Sequence, residues 1–138
     1  MYDHQKMDIT LVRAVSIVPA NPVAGSPTQI GYQPVLVRAI WACITTITAA
    51  AIITLTYKYR PTPGSATGEI ILGTLTIPIA AAVGNFYYEK VAVEPTKCLP
   101  GGELVVEAVG AGTGSATLGV FGEHSWDIPG NNPKMIAA

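Results

Sequence analysis

From Ile53 the chain alternates. Ile53, Leu55, Tyr57 and Tyr59 are separated by Thr54, Thr56, Lys58 and Arg60. A period of two marks a strand with one dry and one wet face, because successive side chains point to opposite sides of a sheet. The pattern begins inside Ala39 to Tyr57, a run without any charged residue. A run of that length could also cross a bilayer as a helix, which needs roughly 20 apolar residues. Two features favour strands. The alternation continues past Tyr57, and Ile44, Thr45, Thr46, Ile47, Thr48, Ile52, Ile53, Thr54 and Thr56 are β-branched, which suits a pleated surface. Upstream, Val35, Val37, Ala39, Trp41 and Cys43 fall on one face, with Leu36, Arg38, Ile40, Ala42 and Ile44 on the other. The run reads as the core hairpin of a β-domain. No turn signal fixes where the chain reverses between Ile47 and Ala51.

The same rhythm continues. Strands are predicted over Val35 to Thr46, Ala51 to Arg60, Glu69 to Ile77, Asn85 to Val93, Glu103 to Val109 and Ser115 to Glu123. In the third, Ile71, Leu75 and Ile77 oppose Thr74 and Thr76; in the fifth, Leu104, Val106 and Ala108 oppose Glu103 and Glu107. Pro- and Gly-rich stretches separate them, notably Pro61 to Gly68, the break from Pro95 to Gly102, and Gly110, Gly112 and Gly114, which read as a flexible turn. Loops this short leave no room for crossover helices, so the pairing is antiparallel. The predicted fold is all-β: an antiparallel two-sheet β-sandwich, jelly-roll-like, with an extended N-terminal arm and an irregular C-terminal tail. Residues 1–34 form an arm, or a first strand plus a Pro/Gly-rich loop. Residues 35–138 form the sandwich body and its tail.

Composition narrows the function classes. The 138 residues are 49% hydrophobic and only 12% charged, about half the usual charge content. Either small polar residues coat the surface or partner chains cover much of it. A net charge of −1 gives no electrostatic basis for nucleic-acid binding, and no basic run is present to hold an anionic membrane. The first twenty residues lack a basic leader followed by a long apolar core, so they do not read as a signal peptide, and cytoplasmic synthesis is expected.

Candidate chemistry is sparse. His4 and His124 stand at opposite ends of the chain without ligand-spaced neighbours, so no metal site is predicted. His124 reads as a strand-end surface residue. No Ser or Cys sits beside a base, and Cys43 reads as buried and inert. Whether Cys43 and Cys98 pair is left open. Glu103 and Glu107 share the polar side of a strand and read as solvated. Gly110, Gly112 and Gly114 precede a strand, so no helix N-terminus is there to hold a phosphate. Tyr57, Tyr59, Phe86, Tyr87, Tyr88 and Trp126 could line a sugar platform, but aromatics at alternating positions more commonly form core or interface. No cofactor and no enzymatic activity are expected.

Several motifs resemble small head decoration, or cement, proteins of tailed bacteriophages. They are Tyr57-Lys58-Tyr59-Arg60-Pro61-Thr62-Pro63-Gly64-Ser65, Gly68-Glu69-Ile70, Leu75-Thr76-Ile77-Pro78, Gly84-Asn85-Phe86-Tyr87-Tyr88, Pro100-Gly101-Gly102-Glu103-Leu104-Val105-Val106-Glu107 and Pro129-Gly130-Asn131-Asn132. The resemblance spans about residues 35 to 135 and is weaker in the N-terminal arm. It implies a β-sandwich on the outer surface of an icosahedral head that bridges major capsid protein subunits. It also implies a homo-oligomer, with a trimer favoured, and no direct contact with nucleic acid or membrane. Arm and tail then supply the candidate partner contacts: Tyr2, His4, Met7 and Ile9, and Trp126, Ile128 and Met135. Two alternatives stay open: a carbohydrate- or cell-surface-binding sandwich module, and a small membrane protein with a span near 39–57.

Overall fold

The computed structural model describes residues 5–18, 20–31, 33–91 and 96–124, and nine strands lie among these described residues. They are β1 (Gln5–Ser16), β2 (Thr28–Gln29), β3 (Val35–Ala49), β4 (Ile53–Arg60), β5 (Ile70–Ile77), β6 (Phe86–Lys90), β7 (Thr96–Cys98), β8 (Glu103–Val109) and β9 (Thr113–His124). The first sheet has the order β1-β9-β3-β6, with β7 also pairing β3; the second has the order β2-β8-β4-β5. Every pairing is antiparallel. The two sheets bury one core between them, so the protein is a two-sheet β-sandwich with jelly-roll connections. Gln5–Ser16 is an edge strand of the first sheet, and the Pro/Gly-rich stretch after it is a loop that carries β2.

Residues 39–57 form β3, a three-residue crossover and β4, not a helix. Nor do they form a hairpin. β3 lies in the first sheet and β4 in the second. The crossover turns on Ala50, whose φ of 71° is in the left-handed region that non-glycine residues rarely occupy. No helix among the described residues is long and apolar enough to cross a membrane.

β4 fulfils its alternation. Ile53, Leu55, Tyr57 and Tyr59 are buried in the core, and Thr54, Thr56, Lys58 and Arg60 point outward. Tyr57 reaches across the sandwich, where its hydroxyl donates to the Trp41 carbonyl. Burial holds this phenol well above its ordinary pKa.

β3 departs from the expected faces. A bulge lies between Val37 and Ala39 in its pairing with β9. The extra residue flips the parity, as a bulge must. Val35 and Val37 therefore share the core with Ile40, Ala42 and Ile44, while Trp41 and Cys43 turn outward. A similar shift opposite Tyr57 and Lys58 alters β5: Leu72, Leu75 and Ile77 enter the core and Ile71 is exposed. Neither cysteine forms a disulfide. Cys43 is half-buried, and Cys98 is enclosed on β7, where burial pushes its thiol up to about 12.

Candidate interaction surfaces

The outer faces of the two sheets differ in kind. On the second sheet Lys58 donates to Glu107 at 2.6 Å and lies 3.3 Å from Glu69, while Arg60 donates to Glu69 at 2.8 Å and to Asn21 at 3.3 Å. Glu103 accepts from the Gly64 amide at 2.9 Å and so fastens the 61–69 loop over this face. Glu103 and Glu107 are thus tied into a network rather than solvated. Lys58 and Arg60 are each only 8% exposed despite pointing outward. The Arg60 guanidinium lowers the Glu69 pKa against the opposing effect of burial, and Lys58 lowers it further. Burial disfavours the Lys58 ammonium, but its bonds to Glu107 and Glu69 outweigh this and raise its pKa.

The first sheet presents aromatic rings instead. Cross-strand partners share a face. Cys43 pairs with Phe86 and Thr117, Trp41 with Tyr88 and Gly119, and Ala39 with Phe121 and the exposed Lys90. The Trp41 and Phe86 rings stack with centroids 5.7 Å apart. Trp41 lies flat over Gly119: a Cβ there would fall inside the indole ring and against the Ile9 carbonyl. Phe86 and Tyr88 stand more than half exposed beside it. The ion pair between Arg38 and Glu123, 3.1 Å apart, lies nearer one end of this face.

The two ends of the sandwich differ as well. At one end the connections β1–β2, β3–β4, β5–β6 and β8–β9 pass between the sheets. Each lies in an uncharged stretch of sequence, residues 14–37, 39–57, 70–88 and 108–122 respectively. Val18, Ile47, Ile52, Ile79, Val83 and Val109 are all exposed there, and the last five are at least half exposed. This tip is tightly built. The buried Thr48 donates through Oγ1 to the Pro78 carbonyl at 2.6 Å and accepts from the Ala81 amide at 2.8 Å. Its backbone accepts from Ala80 at 2.9 Å, and Ala80 is held at a φ of 62°. Gly112 is a close-approach residue, since a Cβ would strike the Ala51 carbonyl. The glycine run 110–114 therefore packs against the β3–β4 crossover instead of swinging free.

The opposite end exposes apolar residues too: Ile70 and Ile71 follow Glu69 and pair with Tyr59 and Lys58, and the Leu99 amide donates to the Tyr59 hydroxyl. A cavity of about 270 Å³ opens there between Ile9, Ile30, Val35, Leu104 and His124. His124 is the last residue of β9, half-buried, with Nδ1 enclosed and unbonded. Among the described residues, no three His, Cys, Asp or Glu side chains gather as a metal cluster.

No family model matches the chain, and neither does any curated protein. Among solved structures it is similar to an Eiger TNF from S. frugiperda, with a TM-score of 0.51 over 90% of this chain and 93% of that one. The fold is a TNF-like jelly roll. At 12% identity the likeness speaks for the fold alone.

Of the contact residues expected from sequence, Ile9 is half-buried and lines the cavity. Met7 pairs with Gly122 through its backbone. Tyr2, His4, Trp126, Ile128 and Met135 lie outside the described residues. The expected sugar platform is dispersed: Tyr57 and Tyr59 are core, Tyr87 packs inward, and Phe86 and Tyr88 alone of the described members are well exposed. Sequence reading missed Trp41 on the outer face because the bulge was not visible. It missed the tip because the four uncharged stretches meet only in the fold, although each is plain in the sequence.

Proposed function

We propose that this protein is a structural virion component, a decoration or cement protein that binds the outside of a tailed-bacteriophage head. In this reading it bridges major capsid protein subunits as a homo-oligomer, a trimer being favoured, and catalyses nothing. It is made in the host cytoplasm and resides on the outer capsid surface.

The observation that carries the reading is the uneven surface of a rigid sandwich. The second sheet satisfies its charges internally, whereas the first offers an aromatic face around Trp41, Phe86 and Tyr88, with Lys90 at its margin. Exposed aromatic residues on a face poor in charge are characteristic of interface centres. A sheet face of this kind suits packing between identical copies in a closed ring. The low overall charge fits a protein whose surface is largely covered after assembly.

The test is direct. Purified protein added to heads lacking it should bind at saturable stoichiometry and raise the melting temperature of the heads. Light scattering in solution should give three times the chain mass. Absence of binding would sink the reading.

A second reading, a carbohydrate-binding module, draws on the exposed pair Phe86 and Tyr88 beside Trp41. Glycan-array binding that disappears with Tyr88→Ala would favour it.

A further inference from the structure

The uncharged tip plays no part in the oligomer face just described, and its composition limits what can cover it. Four connections that are distant in sequence bring six exposed aliphatic side chains to one end of the sandwich. Their stretches contain no Asp, Glu, Lys or Arg. We infer that this tip, built from Val18, Ile47, Ile52, Ile79, Val83 and Val109, is the surface that seats on the capsid shell, against an uncharged apolar patch of the major capsid protein. The inference rests on the cement-protein reading.

Area selects this occupant. Six aliphatic side chains at these exposures present roughly 500 Å², within the range of the largest patch on an ordinary monomer. A stable pairwise complex needs about 800 Å² per partner. One tip is therefore too small to hold a second copy by itself. A lattice of identical sites removes the difficulty. In a cyclic trimer all three tips lie at the same level along the axis, so they meet the shell together. Linked weak contacts then combine into tight attachment.

Charge sets the character of this contact. An uncharged tip has no electrostatic attraction to an acidic or basic surface. Its contact should be nearly independent of salt, unlike one built on ion pairs. The construction of the tip also suits docking. Thr48 clasps the 78–81 loop through both hydroxyl bonds, and Ala50 and Ala80 are held at positive φ. Backbone strain of this sort persists only where the surroundings enforce it and gathers at functional sites. The loops are thus fixed before the partner arrives, which limits the entropy lost on contact.

The experiment uses the full chain and purified heads lacking the protein. The double variant Ile52→Asp, Ile79→Asp should keep the wild-type melting temperature and oligomer mass, since both side chains already face water. Its affinity for heads should fall at least a hundredfold, because every tip in the oligomer is altered. Ile71→Asp, at the opposite end, should bind as wild type does. Wild-type affinity should change less than threefold between 50 and 500 mM NaCl. If the double variant fails to fold, Val83→Asp on the 82–85 loop takes its place. A folded, oligomeric tip variant with undiminished affinity would overturn the inference and leave the cement reading standing. Wild type that binds no heads would overturn both.

Discussion

The two outer faces of this sandwich begin from similar strands and end in opposite states. On β4, Lys58 and Arg60 point away from the core yet are almost covered, because Glu69 and Glu107 reach across from neighbouring segments. On β3, Trp41 points away from the core and meets Phe86 and Gly119, and the rings around it stay exposed. The first face closes on itself; the second has apolar area left over. An ion pair within the chain leaves little for a partner to recognise. An exposed aromatic strip is stabilised by being covered.

Four experiments would break or sharpen that contrast. The largest effect belongs to the core that both faces enclose. Ile53→Asp places an unpaired charge among fully buried side chains and should cost about 4 kcal/mol or more. Thr54→Asp, one residue along on the outward side, should cost less than about 1 kcal/mol. Equal melting temperatures for the two would refute the face assignment of β4.

Next comes the floor beneath the aromatic strip. Gly119→Ala pushes a methyl group into the Trp41 indole and the Ile9 carbonyl. Overpacking of this kind costs roughly 1–3 kcal/mol. Chemical denaturation should show the loss and tryptophan emission should shift. Neither change would mean that the indole does not rest on this glycine.

The ion-pair face should respond less strongly and in a pH-dependent way. Glu69→Gln weakens the acceptor for Arg60 and Lys58 and should cost about 1 kcal/mol near neutral pH, because the pairs are only partly exposed. The folded-state pKa of Glu69 lies below its unfolded value. Its stabilisation is therefore full above the unfolded pKa of about 4.3 and is lost as pH falls through the folded value. The gap in melting temperature between wild type and Glu69→Gln should accordingly narrow as pH falls below about 4.3. Lys58 has the opposite sign: its raised pKa gives stability that is complete below about 10.4 and lost as pH rises through the folded value. A gap that stayed constant in acid would remove Glu69 from the network.

The smallest effect on stability should come from the aromatic strip itself. Phe86→Ser with Tyr88→Ser changes side chains that are already more than half exposed, so folding should shift by under about 0.5 kcal/mol. The oligomer mass should nevertheless fall. A stable oligomer in that variant would move the self-association surface elsewhere.

Much of the fold is legible in the sequence. β8 follows its predicted span, and β4 follows its predicted faces from Ile53 to Arg60. Both strands lie within one sheet and carry a regular period, so local pattern and tertiary placement agree. The errors fall where the ladder is irregular. A single extra residue near Arg38 reversed the expected faces of β3, and the shift opposite Tyr57 did the same to Ile71. The β3 bulge carries no marker in the side chains around it, whereas Gly73, an isolated glycine inside β5, sits beside the second. Thr28–Gln29 and Thr96–Cys98 were not predicted because strands of two and three residues have no period to detect. The candidate surfaces were less legible still. The sequence directed attention to the chain ends, yet the aromatic strip and the tip both arise from interior strands and loops.

What the sequence determined alone is the class of structure and the location of charge. Alternation, β-branched residues and closely spaced turn signals leave little besides antiparallel sheets, because each is a property of the local chain. The four uncharged stretches are likewise visible in one dimension. Tertiary structure decided which strands became neighbours. It sent β3 and β4 to opposite sheets, gathered four connections into one apolar tip, and turned Glu103 and Glu107 from solvated charges into tethers. Pairing between strands distant in sequence depends on the best fit of all faces to one core, and no single segment encodes that choice.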